Sequence, residues 1–534
     1  MGKVTRRGFM GGAAAAGGTA VLDLGTPSRA EGRELGPVRI APGDPRYEDL
    51  AVRRTNQRFD PRPEYFHVAG STAQVEKAVE EAVRAGKRVT VRSGGHCYEN
   101  FVGDGAQVVI DLCEMSEVYF DDRRGAFAIE AGATLMQVYR KLYLGWGVTI
   151  PGGQCGGVAA GGHIAGGGYG QHSRRLGAVV DYLHAVEVVV VDRAGRARAV
   201  IATRDPSDPH HDLWWAHTGG GGGNFGVVTR YWMRDPRAKG KDPRTLLPKP
   251  PPALLVCHPA WSWGDMSRES FTALLRNHGA WHERNSDPGS PYAGLWSALI
   301  VQSRAQGADP GGMILPTMMD ASVPDAGRLL TDYFAALTRG VGARAYIPEV
   351  RRLPWYQAVS TQALGADQES GRFKAKSAQL RRRFTDRQIG VAHDHLSVPA
   401  PASASGVLLL ASYGGQVNTV ASGATAMAER DSILKALFLG TWTDGDGAAG
   451  IAWVRRFYQA MYAGTGGVPV PGGASGGAYI NYPDVDLADP AWNASGVPWS
   501  TLYYGGNYPR LQRVKARWDP RGVFRHALSV RPAG

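Results

Sequence analysis

Two glycine-rich segments each carry one side chain capable of covalent or proton chemistry. In Arg92-Ser93-Gly94-Gly95-His96 an imidazole follows two residues that lack side chains. Consecutive backbone N–H groups freed in this way can form a concave nest for a pyrophosphate, with the histidine at its lip. In Pro151-Gly152-Gly153-Gln154-Cys155-Gly156-Gly157-Val158 a thiol sits between glycine pairs, where a flat ring can approach the backbone closely. Taken singly, a histidine after glycines reads as a turn residue and a lone cysteine as a small buried hydrophobe. Two such loops in one chain favour a bound planar group.

The other reactive side chains narrow the chemistry. Only four cysteines occur, Cys97, Cys113, Cys155 and Cys257, with no Cys-x-x-Cys spacing, so neither a disulfide framework nor a thiolate metal site is expected. His210, His211 and His217 cluster beside Asp208 and Asp212 without the spacing of a metal motif, and they read as packing around the glycine turn Gly219–Gly223. No metal is expected. The formal net charge is +12, yet no basic block is interleaved with aromatics, which argues against a nucleic-acid groove.

The elements around these residues read as mixed α and β. Val75, Ala78, Val79 and Ala82 recur at helical spacing over 74–85, Gly86 stops that helix, and 88–92 is a short strand leading into the first loop. Strands are expected at 108–112, 126–129, 186–191 and 227–231, and a helix over 137–144 closed by Gly145. The stretch 152–170 holds ten glycines in nineteen residues and predicts an ordered loop without helix or strand. The Rossmann fingerprint is not met, because neither glycine segment opens a helix in a strand-loop-helix unit with an acidic residue beyond it. A Pro/Lys/Arg-rich stretch at 236–252 marks a lobe boundary. Beyond it, apolar runs such as 298–301 and 407–410 alternate with amphipathic segments such as 326–337, predicting an antiparallel sheet backed by helices.

These blocks, together with Gly161-Gly162-His163-Ile164-Ala165-Gly166-Gly167-Gly168-Tyr169-Gly170, Asp181, Gly219–Val228 and Tyr479-Ile480-Asn481-Tyr482-Pro483-Asp484, resemble the berberine bridge enzyme-like family of FAD-linked oxidases. Within that family the chain looks most like the hexose oxidases of bacterial glycopeptide pathways. The resemblance implies an α+β fold with a split FAD-binding lobe of the PCMH type, residues 37–240 completed by 476–534, and an inserted substrate lobe, 241–475. It implies FAD bound covalently to His96 through the 8α-methyl and to Cys155 through C6. Arg92, Ser93, Gly94, Gly95, Gly152, Gly153, Gly156, Gly157, Val158, Gly161, Gly162, His163, Gly168, Val228 and Asn481 would shape the cofactor site. It also implies Tyr482 as the base that takes a hydroxyl proton, with Tyr479 and Tyr169 nearby.

Further expectations follow from that mapping. In an extended strand Tyr479 and Tyr482 would face opposite sides, so a bend is required if both line one pocket. Work as a phenolate near neutral pH requires a value about 2–3 units below the usual 10, with Lys374, Lys376 and Arg372 as candidate cations. Gln379 stands where sugar-oxidising relatives carry Tyr or Asp, so a second ionisable base is absent there.

The resemblance implies oxidation of an alcohol on a sugar, oligosaccharide or glycosylated natural product, with O2 as the acceptor. A tailoring oxidase that cyclises or desaturates a non-sugar metabolite is the second reading, and a flavin-containing sequestration protein the third. Residues 1–36 contain Thr5-Arg6-Arg7-Gly8-Phe9-Met10 before an Ala/Gly-rich stretch, which looks like a twin-arginine export signal. A secreted protein without a membrane anchor is therefore expected.

Overall fold

The computed structural model describes residues 37–305, 311–361, 371–401 and 404–533. The export segment expected at 1–36 lies outside the described residues. The described residues form one compact unit.

Its first part is built from two small sheets. In the four-stranded one, Val108–Asp111 lies between Val89–Arg92 and Tyr65–Val68, parallel to both, and Val38–Ile40 pairs antiparallel with Tyr65–Val68. The helix Thr72–Arg84 begins where the Ser71 side chain accepts from the Gln74 N–H, and it buries Val75, Ala78, Val79 and Ala82 as the spacing predicts. A five-stranded antiparallel sheet runs Val118–Asp121, Ala126–Glu130, Val227–Met233, Leu183–Val191, Ala197–Thr203. The valine run of Leu183–Val191 is buried on both faces, so it carries no polar alternation.

Two sequence-based expectations are corrected here. The helix expected to stop at Gly145 spans Leu135–Trp146 and ends at Gly147, whose φ of 70° provides the left-handed cap. The glycine stretch is not wholly loop, because Ala160–Ala165 is a short helix. Tertiary packing overrides propensity at that point. A Cβ on Gly161 would come within 2.9 Å of Ser93 Oγ and 3.0 Å of Ala131 O, so the bare backbone lets this turn lie directly against the first loop.

Strands between Ala253 and Gly477 form one ten-stranded sheet. At its centre Leu434–Trp442 pairs antiparallel with Ala404–Ser412 on one side and Arg372–Leu380 on the other, each over nine residues. Helices Arg268–Asn285, Ala326–Thr338, Asp386–Leu396 and Ala448–Met461 belong to this part of the chain and bury their apolar faces in the main core. The C-terminal segment returns to the glycine turn at 219–224. Lys515 Nζ donates to Asn224 O at 2.6 Å, and the Val530 N–H donates to Asn224 Oδ1 at 2.9 Å. No helix among the described residues is long and apolar enough to cross a membrane.

Candidate active site

The two reactive loops meet because their backbones touch. A Cβ on Gly94 would stand 2.7 Å from Ala159 N and 3.3 Å from Gly157 O, and one on Gly95 (φ 75°) would strike Arg53 O at 2.5 Å. Only glycine permits this approach, and it carries His96 and Cys155 to one cavity of about 320 Å³. Also lining that cavity are Ser93, Gly153, Val158, His163 and Val228. The apolar groups Val89, Val91, Leu112 and Phe524 share the same cavity with the bare turn Gly221–Gly223.

This lining suits a long cofactor with one flat ring system. A Cβ on Gly162 would meet nothing within 4 Å, and one on Gly222 would have only Gly162 Cα, at 4.0 Å. Both residues line the cavity, so a side chain at either would enter the lumen rather than the protein. Bare backbone on facing walls is the shape a planar or pyrophosphate group requires, and the residues present therefore fit FAD.

Several residues grouped with the cofactor also brace the cavity wall or stand outside it. Arg92 donates through Nε to Asp111 Oδ2 at 2.6 Å and through a guanidinium nitrogen to Leu50 O at 2.6 Å, so its guanidinium anchors the strand. Gly152, Gly156, Gly157 and Gly168 fall outside the lining. His163 accepts from the Gly153 N–H at 3.2 Å, and burial lowers it to about 4, which keeps the ring neutral and able to accept. Asn481 donates to His163 O at 3.0 Å and to Tyr479 Oη at 3.1 Å.

Tyr169, Tyr479 and Tyr482 converge on the same cavity. The Tyr482 N–H donates to Tyr479 O at 2.9 Å, which closes the turn that lets both rings line the cavity. Tyr169 and Tyr482 hydroxyls lie 3.0 Å apart, and Tyr98 stacks on Tyr482 with centroids 5.3 Å apart and planes within 4°. Tyr479 is different: its oxygen already accepts from the Gly168 N–H at 3.2 Å as well as from Asn481.

The expected cation is corrected. Lys374 and Lys376 are paired with Glu99, Asp484 and Asp486, and Arg372 is exposed and donates to Thr443 O. Lys435, which sequence reasoning missed, holds its Nζ 3.4 Å from the Tyr479 ring centroid, 4.0 Å from Tyr169 and 4.4 Å from Tyr413. A lone lysine in the apolar run Leu434–Leu439 was the available signal. Burial pushes Lys435 well below its ordinary value, with Glu429 opposing. Tyr482 is not lowered by its protein neighbours: burial pushes it up to about 12, and the Tyr169 hydrogen bond works against that rise. Gln379 is fully buried opposite Lys435 in the strand register and does not line the cavity. Among the described residues no three His, Cys, Asp or Glu side chains gather to hold a metal. His210 and His217 instead bond to the carbonyls of Ile201 and Leu213.

Known proteins resemble this chain in sequence and fold. Residues 63–197 match the FAD binding domain family and residues 478–531 the Berberine and berberine like family. The aclacinomycin-N/aclacinomycin-A oxidase of Streptomyces galilaeus is 50% identical, with 99% of each chain covered. The chain belongs to the berberine bridge enzyme-like family of FAD-linked oxidases. It is 30% identical to the hexose oxidase of Chondrus crispus, covering 86% of this chain and 88% of that one. A crystal structure of a glycopeptide hexose oxidase complexed with teicoplanin superposes with a TM-score of 0.89 at 53% identity, covering 93% of this chain and 99% of the other. This family member is thus an FAD-linked oxidoreductase with the α+β, PCMH-type fold.

Proposed function

We propose that this oxidase acts on an alcohol carbon of a sugar, oligosaccharide or glycosylated natural product, with O2 taking the two electrons and two protons to leave as H2O2. The observation that carries the reading is the Tyr169–Tyr482 hydroxyl pair, 3.0 Å apart, in the cavity that His96 and Cys155 also line. Support also comes from relatives named for sugar or glycoside oxidation: a hexose oxidase, an aclacinomycin oxidase and a glycopeptide hexose oxidase held with teicoplanin.

His96 and Cys155 would hold FAD through two covalent bonds, to the 8α-methyl and to C6. Bound there, FAD supplies the hydride acceptor that alcohol oxidation needs. Tyr482 takes the hydroxyl proton as the alcohol carbon loses its hydride and becomes a carbonyl. The Tyr169 hydroxyl donates to the Tyr482 oxygen and stabilises the phenolate that must be present before the proton is taken. Lys435 packs its amine against the rings of Tyr169 and Tyr479 and holds the hydroxyl cluster in place. Tyr479 holds the turn in place, since its oxygen is already engaged twice. From the large sheet Trp296, Leu409 and Ala411 add an apolar wall, suited to an apolar body attached to the sugar.

The test is H2O2 release by purified protein across monosaccharides, oligosaccharides and glycosylated antibiotics, with denatured protein checked for a flavin mass adduct. A glycoside-dependent signal and a retained adduct are expected. Each of His96→Ala and Cys155→Ala should leave one bond and the double variant none. Silence across the panel, or flavin released by denaturation of the unaltered protein, would refute the substrate class or the covalent attachment respectively. Export through the segment containing Arg6 and Arg7 is proposed on the same footing: replacing both with Lys should retain the protein inside the cell, and undiminished secretion would refute it.

A further inference from the structure

On the strand Arg372–Leu380, Lys374 and Lys376 are two residues apart and share one face of the sheet. Their side chains are 1% and 2% exposed, so each ammonium needs a counter-charge within the protein. Lys374 Nζ pairs with Glu99 and lies 2.6 Å from Asp484 Oδ1. Lys376 Nζ lies 2.7 Å from Asp484 Oδ2 and 2.8 Å from Asp486 Oδ2. Arg455, from the helix Ala448–Met461, closes on Asp486 at 2.7 Å. Three cations thus face three carboxylates with no formal charge left over.

The carboxylates come from two distant stretches of chain, each next to a residue of the reaction centre. Glu99 is three residues beyond His96, and Asp484 two beyond Tyr482. Asp484 and Asp486 are held by Lys376 as well, whereas the ion pair that reaches Glu99 is made by Lys374. Between Glu99 and His96 stands Tyr98, whose ring lies flat on Tyr482. We propose that Lys374 is a positioning residue, an ammonium clamp that holds the segment carrying His96 against the segment carrying Tyr482. The clamp rests on the roles assigned to His96 and Tyr482 above. Removing its charge leaves Glu99 buried without its counter-ion, free to take up a proton and to let the stretch Cys97–Glu99 shift relative to Tyr482.

Hydrogen-exchange mass spectrometry and anaerobic flavin-reduction kinetics on the flavin-loaded protein test this with Lys374→Met, Lys374→Arg and Glu99→Gln. In Lys374→Met, exchange in peptides covering 93–101 should quicken by about tenfold or more through local opening, with the strand at 183–191 unchanged. Reduction by an accepted glycoside should slow on the order of 100-fold, as expected for a misplacement near 1 Å, with KM little altered. Lys374→Arg keeps the charge and should recover most of both properties. Glu99→Gln preserves volume and should reproduce the exchange change, so it decides the matter if Lys374→Met does not fold. Unchanged exchange at 93–101 in Glu99→Gln, or failure of Lys374→Arg to recover the reduction rate lost in Lys374→Met, overturns the clamp. Tyr482→Phe, run alongside, separates the two ideas: reduction at the unaltered rate would remove Tyr482 as base while the exchange data still report on the clamp.

Discussion

Replacing Tyr169 with Phe removes one oxygen from the reaction centre and leaves its ring against Tyr413 and Tyr479. That oxygen lies 3.0 Å from Tyr482 Oη and is the protein group that works against the burial which, on balance, leaves Tyr482 raised to about 12. A hydrogen bond to a charged group is worth about 1.5–3 kcal/mol, which converts to roughly one to two pKa units at 1.36 kcal/mol each. The sign is fixed by the form that reacts. Proton abstraction needs the phenolate, so reduction speeds up as pH rises toward the Tyr482 value, and losing a hydrogen bond to the phenolate moves that rise to higher pH. At any pH below it, the phenolate fraction and the rate should fall by about 10- to 100-fold. Anaerobic stopped-flow reduction by an accepted glycoside, followed against pH in the unaltered protein and in Tyr169→Phe, reads both the rate and the position of the rise. A variant within about twofold of the original rate, with its profile in the same place, would refute the role given to the hydroxyl pair.

Other perturbations separate stability from chemistry. Lys435→Met replaces a buried amine that has no hydrogen-bond partner with an apolar chain of similar length; its melting temperature should hold or rise, while flavin reduction slows because the amine packed against the rings of Tyr169 and Tyr479 is gone. A melting temperature that drops together with the rate would show that Lys435 is structural. Gly162→Ala puts a methyl group into the cavity without striking the protein, so the chain should fold normally but be purified with much less flavin, measured by visible absorbance against protein. Gly95→Ala should instead destabilise the fold itself by about 1–3 kcal/mol, because φ is 75° and the new Cβ meets Arg53 O at 2.5 Å. Denaturant unfolding of the two variants distinguishes the outcomes.

The two glycine loops that carry His96 and Cys155 were legible in the sequence because they depend on local properties, while the tyrosine turn came only from the family resemblance. Absence of a Cβ determines where backbone can approach backbone, whereas the helix starts at Thr72 and Leu135, capped by Ser71 and Thr134, lie two residues ahead of the apolar spacing that announced them. The strand order of the large sheet was not legible, and with it went the identity of the cation. Lys374, Lys376 and Lys435 all lie in strands, and although Lys435 stands alone in an apolar run, nothing local says which partner each one meets. Register and the return of distant loops do: Lys374 and Lys376 meet carboxylates from the chain around 99 and 484–486, while Lys435 meets three aromatic rings. The short helix Ala160–Ala165 escaped for a related reason, since its glycines disfavour helix until packing against Ser93 and Ala131 makes a bare backbone an advantage. The sequence by itself determined which residues could react and which backbone could stay bare, because steric and chemical capacities belong to single residues. Tertiary structure alone decided which charge faces which partner, because in a buried site that energy depends on distances between segments hundreds of residues apart.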